Sequence, residues 1–135
     1  MDFETLKERL NRDDRFCRAN GIHLTVIRPG YAEAELEITP DKLNGLDLVQ
    51  GGAIFTLADL AFAGAANSGG IPTVSASVNL SYIRPGTGKK LRAVATEVSR
   101  GRRTGVYSVQ VFDGAGKIVA HGSITGFAFE PRPNA

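Results

Sequence analysis

The chain carries one cysteine, two histidines, one methionine and no tryptophan in 135 residues. Cys17 alone rules out an intrachain disulfide and supplies no paired thiolate ligand. His23 and His121 have no Cys or carboxylate neighbours at metal-ligand spacing, so no metal is expected. The start, Met1-Asp2-Phe3-Glu4, has neither the basic segment nor the long apolar segment of a secretory signal. The apolar middle of the chain is broken by a carboxylate and flanked by glycines, which argues against a membrane span. A soluble, cytoplasmic protein is the expectation. With 42% hydrophobic and 22% charged residues, residues 1–135 read as one globular domain.

Charge is scarce in one place above all. From Leu48 to Ile83 the only formally charged side chain is Asp59, in the middle of an apolar segment. An isolated carboxylate there is desolvated, which disfavours its ionised form and raises its pKa. Held on a rigid element beside a cleft, such a group serves as a base or nucleophile. The alternative is a structural carboxylate tied to a backbone N–H or to a nearby hydroxyl such as Thr56. The net charge of +2 is small, yet seven of the 16 Lys and Arg residues fall between Arg84 and Arg103, against Glu97 alone. That stretch lacks the interleaved aromatics of a single-strand binder, so nucleic acid is not expected.

Asp2 is placed to cap a first helix with Phe3, Leu6 and Leu10 on one face. A short second helix ends at Asn20-Gly21, completing an N-terminal helical segment over residues 1–21. Ile22, Leu24 and Val26 alternate with more polar neighbours, Pro29-Gly30 turns the chain, and Ala32, Ala34, Leu36 and Ile38 alternate with glutamates. Residues 51–67 form a helix about 17 residues and roughly 25 Å long. Apolar side chains all around it mark it as buried. After Val74 the period changes to two, placing Val74, Ala76, Val78, Leu80 and Tyr82 on one face. Strands follow near 91–99, 104–112 and 117–129, with Asp113-Gly114-Ala115-Gly116 as a hairpin turn. The order predicts an α+β fold in which an antiparallel sheet wraps a long central helix.

The spaced elements Asn44, Gln50-Gly51-Gly52, Leu57-Ala58-Asp59-Leu60, Ser75 and Tyr82-Ile83-Arg84-Pro85, followed by Arg100-Gly101-Arg102-Arg103-Thr104, carry a resemblance. Together they resemble the hot-dog-fold thioesterases of the phenylacetic-acid-degradation (PaaI) type. The resemblance implies a hot-dog fold and hydrolysis of an aryl- or medium-chain acyl-CoA. It assigns Asp59 as nucleophile or base, Gly51 as the backbone donor to the thioester carbonyl, Asn44 to the oxyanion region and Ser75 to the surroundings of the carboxylate. Gln50 stands where most members carry His, and a side-chain amide donates hydrogen bonds but does not titrate near neutrality. Arg84, Arg102, Arg103 and Thr104 are the implied coenzyme A contacts, with guanidinium geometry suited to phosphate. No cofactor is expected, coenzyme A being part of the substrate.

Helix geometry adds a constraint of its own. Free N–H groups at Gly51 to Ala53 suit a developing oxyanion, but Asp59 lies eight residues on, roughly 12 Å along the same helix. One carbonyl does not reach both, and a two-fold homodimer with composite sites repairs the gap. The resemblance implies the same dimer, and a homotetramer made of two. Two other classes compete. A non-catalytic acyl-CoA-binding module keeps the basic rim but has no use for Asp59. A hydratase needs a His paired with an acid, and neither histidine stands in the motif.

Overall fold

The computed structural model describes residues 2–133. Helix α1 spans Phe3–Asp13, and the Asp2 side chain accepts a hydrogen bond from the Thr5 N–H at 2.7 Å, as an N-cap does. Asp14 ends α1 and caps α2, Arg15–Ala19, through the Cys17 N–H. Gly21 follows with φ +67°, a conformation that favours glycine and turns the chain into the sheet.

Among the described residues six strands make one antiparallel sheet: β1 Ile22–Arg28, β2 Tyr31–Glu37, β3 Thr73–Tyr82, β4 Lys90–Arg100, β5 Thr104–Phe112 and β6 Ile118–Ala128. Their order is β1-β2-β4-β5-β6-β3, so β1 and β3 are the edges. Helix α3, Gly51–Ala66, packs across one face of this sheet with Asn67 as its C-cap. Leu57, Ala58, Ala61, Phe62 and Ala65 are buried against Leu24, Ala34, Leu36, Ala93, Val109 and Ile124. The approach is close enough that a Cβ on Gly64 would meet Leu24 and Ala32 at 2.7 and 2.8 Å. The Phe62 ring meets Tyr107 edge-on, 5.2 Å between centroids.

Among the described residues four register shifts modify the expected alternation, one of them where Val119 of β6 is the extra residue opposite β5. In β1 the extra residue is Thr25, so Ile27 rather than Val26 is the buried position after Leu24. In β4 the bulge between Glu97 and Ser99 leaves Val98 exposed. In β3 the pairing shifts between Ser75 and Ser77. Val74 and Ala76 therefore leave the face shared by Val78, Leu80 and Tyr82, and Ser75 takes their place on the helix side. Its cross-strand partner, Gly126, confirms the direction, because a Cβ on Gly126 would strike the Phe62 ring. A bulge re-aims a side chain in this way by adding one residue to one strand.

Helix α3 also departs from the expected all-round burial. Gly52, Phe55, Thr56, Asp59 and Ala63 form an uncovered or half-covered stripe at helical spacing. Among the described residues, no helix is long and apolar enough to cross a membrane.

Candidate active site

Asp59 lies on that stripe, half-buried, and its Oδ1 is buried without a hydrogen-bond partner among the described residues. Buried carboxylate oxygens are normally satisfied, so this one calls for a reason. Thr56 does not supply the tether that the sequence allowed, because its hydroxyl donates to the Gly52 carbonyl at 2.8 Å. Burial pushes the Asp59 carboxyl above the usual aspartate range, the Ser75 hydroxyl draws it back, and the Asp14 carboxylate adds to the rise. The β3 bulge thus brings Ser75 to Asp59, and helix α2 closes the other side. Cys17, 4% exposed, sits close enough to feel both acids. Its thiol is pushed up to about 12, chiefly by burial, and is no nucleophile.

At the start of α3 the first-turn donors are unequal. The Gly52 N–H donates to the Gln50 side-chain oxygen, and the Ala53 and Ile54 N–H groups donate to the Gln50 carbonyl at 2.9 and 3.3 Å. Among the described residues the Gly51 N–H makes no hydrogen bond. The three free donors expected at Gly51 to Ala53 are therefore reduced to one, because Gln50 caps the helix with both its side chain and its backbone. The Tyr82 ring lies beside Gly51 and its hydroxyl donates to the Gly51 carbonyl at 3.0 Å. Sequence reasoning placed Tyr82 in the motif without a role; its position opposite Gly51 follows from β3 running back along α3.

Asn44 folds the preceding loop. Its Oδ1 accepts from the Leu46 and Leu48 N–H groups at 2.8 and 3.1 Å, an Asx-type turn. Its Nδ2 has no partner among the described residues. Asn44, Gly51, Tyr82 and Arg84 line one groove of about 310 Å³, so three of the residues singled out from the sequence meet at the helix start. Asp59 and Ser75 form a second locus further along the helix.

The basic residues do not converge within one chain. Arg84 is exposed just beyond Tyr82. Arg102, Arg103 and Thr104 are exposed in the β4–β5 turn, where the Ala128 N–H, opposite Thr73, donates to the Arg103 carbonyl at 2.7 Å. The ten residues of β3 separate the two groups by about 30 Å. The Arg103 guanidinium lies 5.9 Å from the centre of the Phe127 ring, and Arg132 holds the turn through the Gly101 and Thr104 carbonyls. Among the described residues, no three His, Cys, Asp or Glu side chains gather as a metal site.

A carboxylate with an unspent oxygen, a hydroxyl beside it and an unspent backbone donor at a helix start are the parts of an acyl-transfer site. Comparison with known proteins places the chain in the same chemistry. It is 36% identical over 109 residues to the acyl-coenzyme A thioesterase PaaI of Escherichia coli K12, covering 80% of this chain and 78% of that one. The solved structure of the E. coli PaaI protein from the phenylacetic acid degradation operon superposes with a TM-score of 0.90 and 29% identity, covering 96% and 94% of the two chains. A Streptococcus mutans protein solved bound to acetyl CoA gives a TM-score of 0.76 and 26% identity, over 82% and 90%. Residues 47–120 match the thioesterase superfamily model, and the chain belongs to that family, with the hot-dog fold that its sheet and central helix describe.

Proposed function

We propose that the protein hydrolyses an acyl-CoA thioester to the free acid and coenzyme A, with Asp59 as its catalytic carboxylate. The observation that carries this reading is the buried, unpartnered Oδ1 of Asp59 on the open stripe of α3. The Gly51 N–H and the positive end of the helix dipole polarise the thioester carbonyl. Acting as base, Asp59 takes a proton from water while the oxygen adds to the acyl carbon. Collapse of the tetrahedral intermediate then breaks the C–S bond, and the proton passes to the departing thiolate. Acting as nucleophile, Asp59 adds to the acyl carbon and the C–S bond breaks, releasing the thiolate and leaving an acyl anhydride on Asp59. Water then hydrolyses the anhydride to the free acid and the Asp59 carboxylate, and water's second proton goes to the thiolate. Ser75 orients the carboxylate in either route, and Asn44 Nδ2 adds a donor on the oxyanion side. Gln50 fixes the helix start and carries no proton.

The site is assembled between two subunits. Asp59 sits by Ser75 near the start of β3 and Gly51 by Tyr82 at its end, while β3 is an open sheet edge. Antiparallel pairing of two β3 edges about an axis between Val78 and Asn79 sets one subunit's Asp59 opposite the partner's Gly51. The same operation moves the partner's Arg84 toward Arg102, Arg103 and Thr104, which then face one coenzyme A. A second association, through the outer sheet face where Val74, Val98, Val106, Phe127 and Phe129 are exposed, makes the tetramer. We place the protein in the cytoplasm, a reducing compartment in which a lone thiol such as that of Cys17 stays free.

The test is a panel of acyl-CoA esters assayed for thiol release with the parent and with Asp59→Asn. Turnover of at least one ester that the substitution lowers by about 10²-fold or more is the expected result. No turnover of any ester, or turnover within a few-fold of the parent in Asp59→Asn, overturns the reading.

A further inference from the structure

A second groove, of about 510 Å³, opens between α2, the Pro40–Lys42 turn and the first turns of α3. Its volume is in the range of pockets that bury small organic ligands and far exceeds what an acetyl group fills. Ile22, Leu43 and Ala53 make its floor, and Phe16 and Phe55 stand on its rim 65% and 39% exposed. Exposed phenylalanines facing one hollow are uncommon on a surface without a ligand. Lys42 contributes no free charge there, because its ammonium is held by the Thr39 hydroxyl at 2.8 Å and by Asp41 at 3.2 Å.

The groove's position relates it to the chemistry. Phe55 and Thr56 precede Asp59 by one turn on the same open stripe, and the Asp59 side chain leans back toward them. The two grooves at the start of α3 also differ in charge, since the one at Gly51 carries the exposed guanidinium of Arg84 beside Tyr82 and Ile83, and this one carries two phenylalanines and, among the described residues, no free cation. A thioester has two dissimilar halves. Its phosphate-bearing half matches the arginine rim, and its hydrocarbon half matches the phenylalanines.

On the thioesterase reading above, we infer that the groove under α2 receives an apolar acyl group larger than acetyl. Phe16 is then a specificity-determining wall supplied by the N-terminal helices. Asp14 and Cys17 anchor that wall, the one by capping α2 and the other by packing in the core. The Asn20 side chain fastens it through the Phe16 carbonyl at 2.8 Å. In the composite site the acyl group lies on the subunit that provides Asp59, and coenzyme A on the partner's Arg84 side.

Calorimetry with S-ethyl-, S-octyl- and S-benzyl-CoA tests this, because these thioethers bind without being hydrolysed. Burial of the added hydrocarbon should make the octyl or the benzyl ligand bind the parent about tenfold or more tighter than the ethyl ligand. Phe16→Ala should remove most of that advantage, and the favoured ligand tells a chain from a ring. Phe16 is mostly exposed, so its truncation leaves the core intact, and a thermal melt of the variant checks this. Equal affinity of the parent for all three ligands, or an advantage that survives Phe16→Ala, overturns the proposal. A tail-length advantage lost in Phe16→Ala, in a protein that hydrolyses no ester, keeps the pocket and removes the hydrolase reading instead.

Discussion

The two edges of the sheet, β1 and β3, meet solvent differently. Helices α1 and α2 lie along β1, and side chains of α1 occupy outer backbone groups at its middle. Asn11 donates to the Leu24 carbonyl at 3.0 Å and accepts from the Leu24 N–H at 2.7 Å, while Lys7 reaches the Thr25 carbonyl at 3.3 Å. Along β3, from Val74 to Tyr82, no side chain among the described residues bonds to the strand's backbone. Val74, Ala76, Ser77, Asn79, Ser81 and Tyr82 are exposed there. Free strand edges pair with other strands unless something blocks them. One edge of this sheet is blocked and the other is left open, beside both halves of the candidate site. On our account, the asymmetry between the edges reserves β3 for a second copy of the chain.

The largest effect is expected at Asp59. Asp59→Asn keeps the size of the side chain but removes the basic oxygen, and thiol release should fall by about 10²–10⁴-fold. Stability should move the other way. The folded-state pKa of Asp59 is raised, so its contribution is full below the ordinary aspartate range and lost as pH rises through the raised value. Asn escapes that loss, and the variant should melt at a higher temperature than the parent at neutral pH, with the gap closing in acid. In the parent, kcat should fall as pH drops through a value above the normal aspartate range.

Lysine at the centre of the open edge comes next. Asn79→Lys would set two like charges beside the proposed axis, and sedimentation should show monomers with activity lost in proportion. The same charge on the covered edge, as His23→Lys, should leave assembly unchanged. Dimers that persist in the first variant, or dissociate in the second, would erase the distinction between the edges.

The smallest effect concerns the basic turn. Arg102→Ala with Arg103→Ala should raise KM for CoA esters more than it lowers kcat, by a few-fold, and the defect should shrink in high salt. An equal KM for variant and parent at low salt would return both side chains to the solvated rim.

Much of this arrangement was legible in the sequence. One charge in 36 residues marked Asp59, the glycine pair marked the start of α3, and period-two patterning marked the strands. What escaped was whatever depends on tertiary register. Strict alternation put Ser75 on the wrong face, since nothing local in Ser75-Ala76-Ser77 announces a bulge, and the side chain turns to Asp59 only because Ala76 is one residue too many opposite β6. The stretch from Arg84 to Arg103 read as one basic patch. Strand order divides it, because β6 lies between β5 and β3, and Arg84 ends beyond one end of β3 while Arg102 lies near the other. The capping role of Gln50 was visible as residue chemistry, but which N–H it would occupy was not.

Complementation between two inactive variants tests the composite site most directly. Gly51→Pro removes the one unspent donor at a helix position that accepts proline, after a Gln50 already extended at φ −64°, ψ 133°, so the fold should persist while activity falls by about 10²–10³-fold. Asp59→Asn disables the other half. Mixed in equal amounts and allowed to exchange subunits, half the dimers carry one intact site, and activity should return to about a quarter of the parent's. A mixture no more active than its components, with subunit exchange verified, would place donor and carboxylate in one chain and contradict the account.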